Sequence, residues 1–168
     1  ARNIGVSACA TPYFISLDAD NRLLPGACAA LLGATEPMTA YVWPLLRQFG
    51  PDGHRAVMGD APEQPLRLQD GNYIDAMALV ATWAWAACGG YYVSREAMGW
   101  EDYDLWASCT ELGLRGVHLP EIVAEYRVHH GSMTNSVTEK LRHKARVVEY
   151  VTQRHPWLDV HPEAAARV

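Results

Sequence analysis

The chain predicts an α/β layered domain, on three observations. Strand-like apolar runs alternate with helical patterns along the sequence, the arrangement that packs helices on a sheet. Apolar residues make up 49% of 168 positions, enough to bury the core of one domain. No internal repeat or low-complexity tract interrupts the alternation.

The elements follow in order. Residues 2–10 read as the end of a helix, and YFIS at 13–16 as a short buried strand running into LDAD. Pro25 suits a first helical turn, and GACAALLGA continues a helix that ends near Gly33. Residues 35–70 carry five of the ten prolines, which predicts an irregular loop region with one strand near 41–43. A loop of that length in a compact domain usually serves as a lid or binding loop. A strand is expected at 76–81, then a short helix to Cys88 and a turn at Gly89-Gly90. Residues 101–112 read as a helix closed by Gly113. RGVHL and IVAEYRV read as two strands on either side of Pro120-Glu121. An amphipathic helix is expected from Val137 to about Arg154, stopped by Pro156, with 156–168 as a tail.

Composition limits the function. A net charge of −5 argues against nucleic acid or an anionic membrane surface as main partner. Lys140 and Lys144 are the only lysines, so positive charge rests mostly on arginine, the better fork for phosphate and carboxylate. The four cysteines are widely spaced without a C-x-x-C pair, and the expectation is buried, reduced thiols in a cytosolic protein. No apolar run reaches the roughly 18–20 residues of a membrane span, and the opening residues lack the apolar core of a signal peptide.

Four stretches carry chemistry. In FISLDADN a strand delivers Asp18 and Asp20 to its carboxyl end, where open α/β sheets bind ligands. In an extended D-x-D both side chains leave one face, and two such carboxylates suit a hard divalent ion. The plain alternative is a strand ending in turn-forming Asp and Asn. EYRVHHGSMT ends a strand in His129-His130, of which one can face the same site and offer a neutral imidazole. A solvated turn is the alternative there. GWEDYDLW sets Glu101, Asp102 and Asp104 between Trp100 and Trp106. A helix start favours acids by roughly 0.3–1 kcal/mol, which alone would account for them. A carboxylate in an aromatic-walled cleft would instead have its pKa raised toward that of a general base, and periodicity does not choose which one. Arg2, in ARNIG, is either a surface residue or a bidentate partner for phosphate.

In this order and spacing, ARNIGVSACATPYFISLDADNRLLPGA, NYI, GGY, GWEDYDLW, LGLRGVHLPE and EYRVHHGSMT resemble an inverting family 2 glycosyltransferase of the GT-A fold. The resemblance implies a partial GT-A, Rossmann-like domain over 1–155, with a mixed sheet flanked by helices. It implies that Asp18, with Arg2 and Asn3, borders a nucleotide-sugar donor. Asp20 and His129 would hold Mn²⁺ or Mg²⁺, and Asp102 would be the catalytic base with Glu101 beside it. Gly89, Gly90 and Trp100 would lie on the acceptor side, toward a glycan, lipid-linked or other hydroxyl acceptor. Asp104 would be ordinary helix chemistry and Trp106 core packing. Relatives begin with a βαβ segment that holds the donor base and ribose, so this chain is expected to be the C-terminal part of such a domain. A sheet lacking leading strands is then expected to self-associate through an exposed edge. The expected location is the cytoplasm, or the periphery of the cytoplasmic membrane face. Two competing readings are a non-catalytic scaffold remnant and a different D-x-D metalloenzyme, such as a nucleotidyltransferase or phosphohydrolase.

Overall fold

The structure is a computed structural model and describes residues 1–51, 53–61, 64–94, 99–129 and 141–158. It is built on one long strand, β3 (Tyr41–Gly50). Tyr41, Val42, Trp43 and Leu46 are almost wholly buried, as expected of a strand covered on both faces. Along one edge β3 runs parallel to β6 (Gly116–Arg127), and along the other it pairs antiparallel with β5 (Leu79–Ala81) and β4 (Gly53–Met58). β1 (Tyr13–Ile15) pairs β5 and β2 (Arg22–Leu23) pairs β6, giving the order β1-β5-β3-β6-β2 in a six-stranded mixed sheet. The α/β class with helices flanking a mixed sheet is therefore as the sequence predicts.

The strand period of two divides the core. Tyr41, Trp43 and Val80 face a layer that holds Ala84 of α3 (Thr82–Ala87), much of α4 (Glu101–Glu111) and the valines of α5 (Leu141–Arg154). Val42 and Leu79 face the other way, onto Ala27 and Leu31 of α2 (Ala27–Gly33). α1 (Arg2–Ser7) adds Val6 to the first layer. Helix α4 is buried on every side from Tyr103 through Cys109, so only its first turn and its last residues come toward water. Trp106 donates to the Ile74 carbonyl at 2.9 Å and Tyr103 to the Leu68 carbonyl, which fixes the helix in the core.

Three expectations are corrected. Residues 35–70 are not an irregular loop: they contain β3 and β4, and a 3-10 helix at Pro65–Asp70. The prolines misled because Pro44, which has no N–H to give a ladder, sits where the register shifts rather than ending the strand. The two strands expected around Pro120 are one, β6. Leu119 pairs Pro44 and Ile122 pairs Leu45, so Pro120 and Glu121 are extra residues at a bulge. The packing also does not stop at Pro156, because Leu158 is fully buried and the Trp157 carbonyl accepts a hydrogen bond from Gln69 at 2.6 Å. The start of the expected helix, 137–140, lies outside the described residues, as do His130, Gly131 and Ser132. Among the described residues no helix is long and apolar enough to cross a membrane.

Candidate active site

The first turn of α4 meets α1 and the loop before β5, and α1 in turn meets the loop after β1. Buried neighbours leave α4 no freedom to slide, so the sheet and core determine where Glu101 and Asp102 stand. Arg2, from α1, bridges two acids: it donates to Glu101 at 2.7 Å and to Asp18 at 3.0 Å. Its guanidinium also lies 5.9 Å from the centroid of the Tyr91 ring. Asn3 holds that tyrosine's backbone from both ends, accepting from its N–H at 2.9 Å and donating to its carbonyl at 2.7 Å. The Tyr91 hydroxyl in turn meets Ser16 at 3.1 Å. Arg2, Asn3, Asp18 and Glu101 are thus brought together, with Asn3 bonded to the loop at Tyr91.

Asp102 is half-buried beside them. One carboxylate oxygen accepts from the Tyr103 backbone N–H at 2.9 Å, the other from the Asn72 side chain at 3.0 Å. Asn72 is itself fixed, since its carbonyl oxygen accepts from the Ile74 N–H at 3.2 Å. Burial pushes the Asp102 carboxyl up to about 7, and the nearby negative charges of Asp75 and Glu101 push the same way. The Tyr103 N–H and the Arg2 charge oppose this without cancelling it. Asp75 is raised to about 6, again chiefly by burial, with a 2.9 Å bond from the Met77 N–H working against the shift. A carboxyl raised toward neutrality on a fixed helix start, with a second raised carboxyl in the adjoining loop, is an arrangement suited to proton transfer.

Sequence reasoning missed Asn72 and Asp75. Both lie in the short loop before β5, within the NYI segment and just after it, and only tertiary contact joins them to Asp102. It also underrated Asp104, which goes beyond ordinary helix chemistry and is a buried anchor. Arg154 donates to it at 2.6 Å and His155 meets it at 3.1 Å, while the other ring nitrogen of His155 lies 2.9 Å from Glu111. Burial opposes the charge on both partners, but these bonds hold Asp104 below and His155 above its ordinary value.

The D-x-D segment is not extended. The Asn21 N–H bonds the Asp18 carbonyl at 3.1 Å, closing a turn, so the two acids diverge. Asp18 turns to Arg2, and an Asp20 oxygen stands 3.4 Å from Nε2 of His129. Two ligands of one octahedral ion at about 2.1 Å stand roughly 3 Å apart, so Asp20 and His129 fit as two donors to a divalent ion. Among the described residues no group of three or more His, Cys, Asp or Glu side chains converges on one point, so water or ligand oxygens would have to complete such a shell.

Gly89 and Gly90 both take left-handed φ, +78° and +85°. A Cβ at Gly90 would press on Asn3 and Trp85 at 3.1 Å, so this glycine allows the clamp on Tyr91 to close. Trp100 is half-buried, its ring packed edge-on to Tyr103 at 5.4 Å. No model of a known protein family matches the chain, and no curated protein does.

Proposed function

We propose that the chain carries the acceptor-activating and diphosphate-side residues of an inverting, nucleotide-sugar-dependent glycosyltransferase of the GT-A type. The observation that carries this reading is the Asp102 carboxyl, oriented by Asn72 at the start of α4 and raised to about 7. Its place in the E-D pair agrees with the resemblance of the sequence to family 2 enzymes. In this reading Asp102 removes the proton from an acceptor hydroxyl as that oxygen attacks the anomeric carbon, and the glycosidic configuration inverts. Such base catalysis typically supplies 10²- to 10⁴-fold. Glu101 and Arg2 form the wall beside it, with the guanidinium available to a donor phosphate if Asp18 or Glu101 releases it. Asp20 and His129 would hold a divalent cation, which supplies charge neutralisation on a diphosphate leaving group.

The scaffold-remnant reading has one observation in its favour: Arg2 occupies Asp18, leaving one acid of the D-x-D already paired. Calorimetric titration of the protein as its gene encodes it, with a panel of nucleotide sugars in Mn²⁺ and in EDTA, separates the two. The enzyme reading expects metal-dependent binding in the parent and in Asp102→Asn, with transfer lost only in the variant. Transfer at the parent rate by Asp102→Asn rules Asp102 out as the base. Absence of donor binding throughout favours the remnant.

A further inference from the structure

The expectation that all the cysteines are buried is corrected by the structure, which leaves Cys9 and Cys28 exposed, Cys88 half-buried and Cys109 buried. Cys88 caps the end of α3 and Cys109 lies in α4, yet their sulfurs are 3.5 Å apart. From this geometry we propose that Cys88 and Cys109 are a redox-active dithiol, oxidised by peroxide to a disulfide that ties α3 to the helix bearing Asp102.

The two thiols are unequal in the way such chemistry requires. The hydrogen bond from Cys109 lowers the Cys88 thiol, outweighing its burial and the charges of Asp104 and Glu111, while His155 assists. Cys109 is raised by the same bond and by burial. Cys88, half-buried and with the greater thiolate character, is the attacking sulfur, and Cys109 is the resolving one. In the first step the Cys88 thiolate attacks one oxygen of hydrogen peroxide, the O–O bond breaks, and the departing hydroxide takes the thiol's proton as water. This leaves a sulfenic acid on Cys88. The Cys109 sulfur then attacks the Cys88 sulfur, the S–O bond breaks, and the oxygen leaves as a second water. Two thiols have lost two electrons and peroxide has gained them. A thiol reductant reverses the change by exchange.

The sulfurs must close from 3.5 Å to about 2 Å. The chain beside Cys88 is suited to such a shift, because Gly89 already adopts a left-handed φ and a Cβ there would touch nothing. The bond would close a loop that contains Gly90, Tyr91, Trp100, Glu101 and Asp102. Oxidation state would therefore restrain the surroundings of the raised carboxyl, whatever reaction it serves.

The test uses the full chain with Cys9→Ser and Cys28→Ser, which removes the exposed competitors and keeps the pair. Treatment with stoichiometric hydrogen peroxide in native buffer is expected to reduce the intact mass by two hydrogens, abolish both thiols counted with dithionitrobenzoate after denaturation, and yield a Cys88–Cys109 linked peptide. Dithiothreitol should restore all three, with far-ultraviolet circular dichroism unchanged. In the same background Cys109→Ala is expected to stop at a dimedone-trapped sulfenic acid on Cys88. The proposal is overturned if both thiols persist, if Cys88 passes to sulfinic acid while Cys109 stays reduced, or if disulfides form only between molecules.

Discussion

Asp102 is a carboxyl whose environment works against its charge, and this has consequences for stability and rate together. The folded state keeps it neutral up to about pH 7, while the unfolded chain ionises it near 3.8. Between those values the folded form binds more protons, so this group makes stability fall as pH rises from about 4 to about 7, after which the loss is complete. Asp102→Asn is accordingly expected to raise stability at pH 8 by on the order of 1–3 kcal/mol in urea melts, while lowering turnover about 10²- to 10⁴-fold. A second prediction concerns its neighbour. Asp75→Asn removes a negative charge that raises Asp102, so the acid limb of the pH–rate profile should move to lower pH. An unmoved limb would mean the two carboxyls are not coupled. The acids of GWEDYDLW were visible in the sequence, but helix periodicity could not rank them, and the partners that do so, Asn72 and Asp75, lie in a loop with no pattern of its own. The divergence of Asp18 from Asp20 was equally hidden, because D-A-D-N can be a strand end or a turn and only the Asn21 bond decides.

Among the elements, α4 and α5 are joined by Asp104, Arg154, His155 and Glu111. His155, raised in the folded state, adds stability that is fully present below its ordinary value of 6.5 and is lost as pH rises through the folded one. Asp104, lowered, adds stability above 3.8 that is lost as pH falls through its folded value. The junction should be firmest between about pH 4 and 6.5, and Asp104→Ala, which leaves the buried His155 only Glu111 and removes the carboxylate that holds Arg154, should cost about 3 kcal/mol there. Hydrogen exchange of the α5 amides in that variant should rise; an unchanged pattern would show that the junction does not hold the helix. The amphipathic pattern of α5 was legible in the sequence. Its long-range partners were not, and Asp104 read as a helix-start acid because three acids in one turn share that explanation. β3 and β6 were misread for the opposite reason: Pro44 and Pro120 are strong local stop signals, and a bulge shared by two strands absorbs both.

For the molecule as a whole, the parallel pairing of β3 with β6 is what brings the α4 face and the α2 face onto one sheet. Its tightest point is Gly116, where a Cβ would lie 2.2 Å from the Tyr41 ring, itself packed 4.9 Å from Trp106. Gly116→Ala should therefore destabilise by roughly 1–3 kcal/mol through overpacking, lowering the melting temperature. The α/β class could be read from alternating patterns, whereas the strand order could not, since every pairing but that of β3 with β4 joins residues roughly forty to a hundred apart and leaves no local trace.

The claim on which the functional reading rests is that the fold holds Asp102 as a base poised at neutral pH, and it can be tested without knowing donor or acceptor. The direct measurement is the titration of the Asp102 carboxyl carbon by nuclear magnetic resonance, assigned by its loss in Asp102→Asn. A midpoint near 7, moving down in Asp75→Asn, is the predicted result. A midpoint near the ordinary 3.8 would contradict the account.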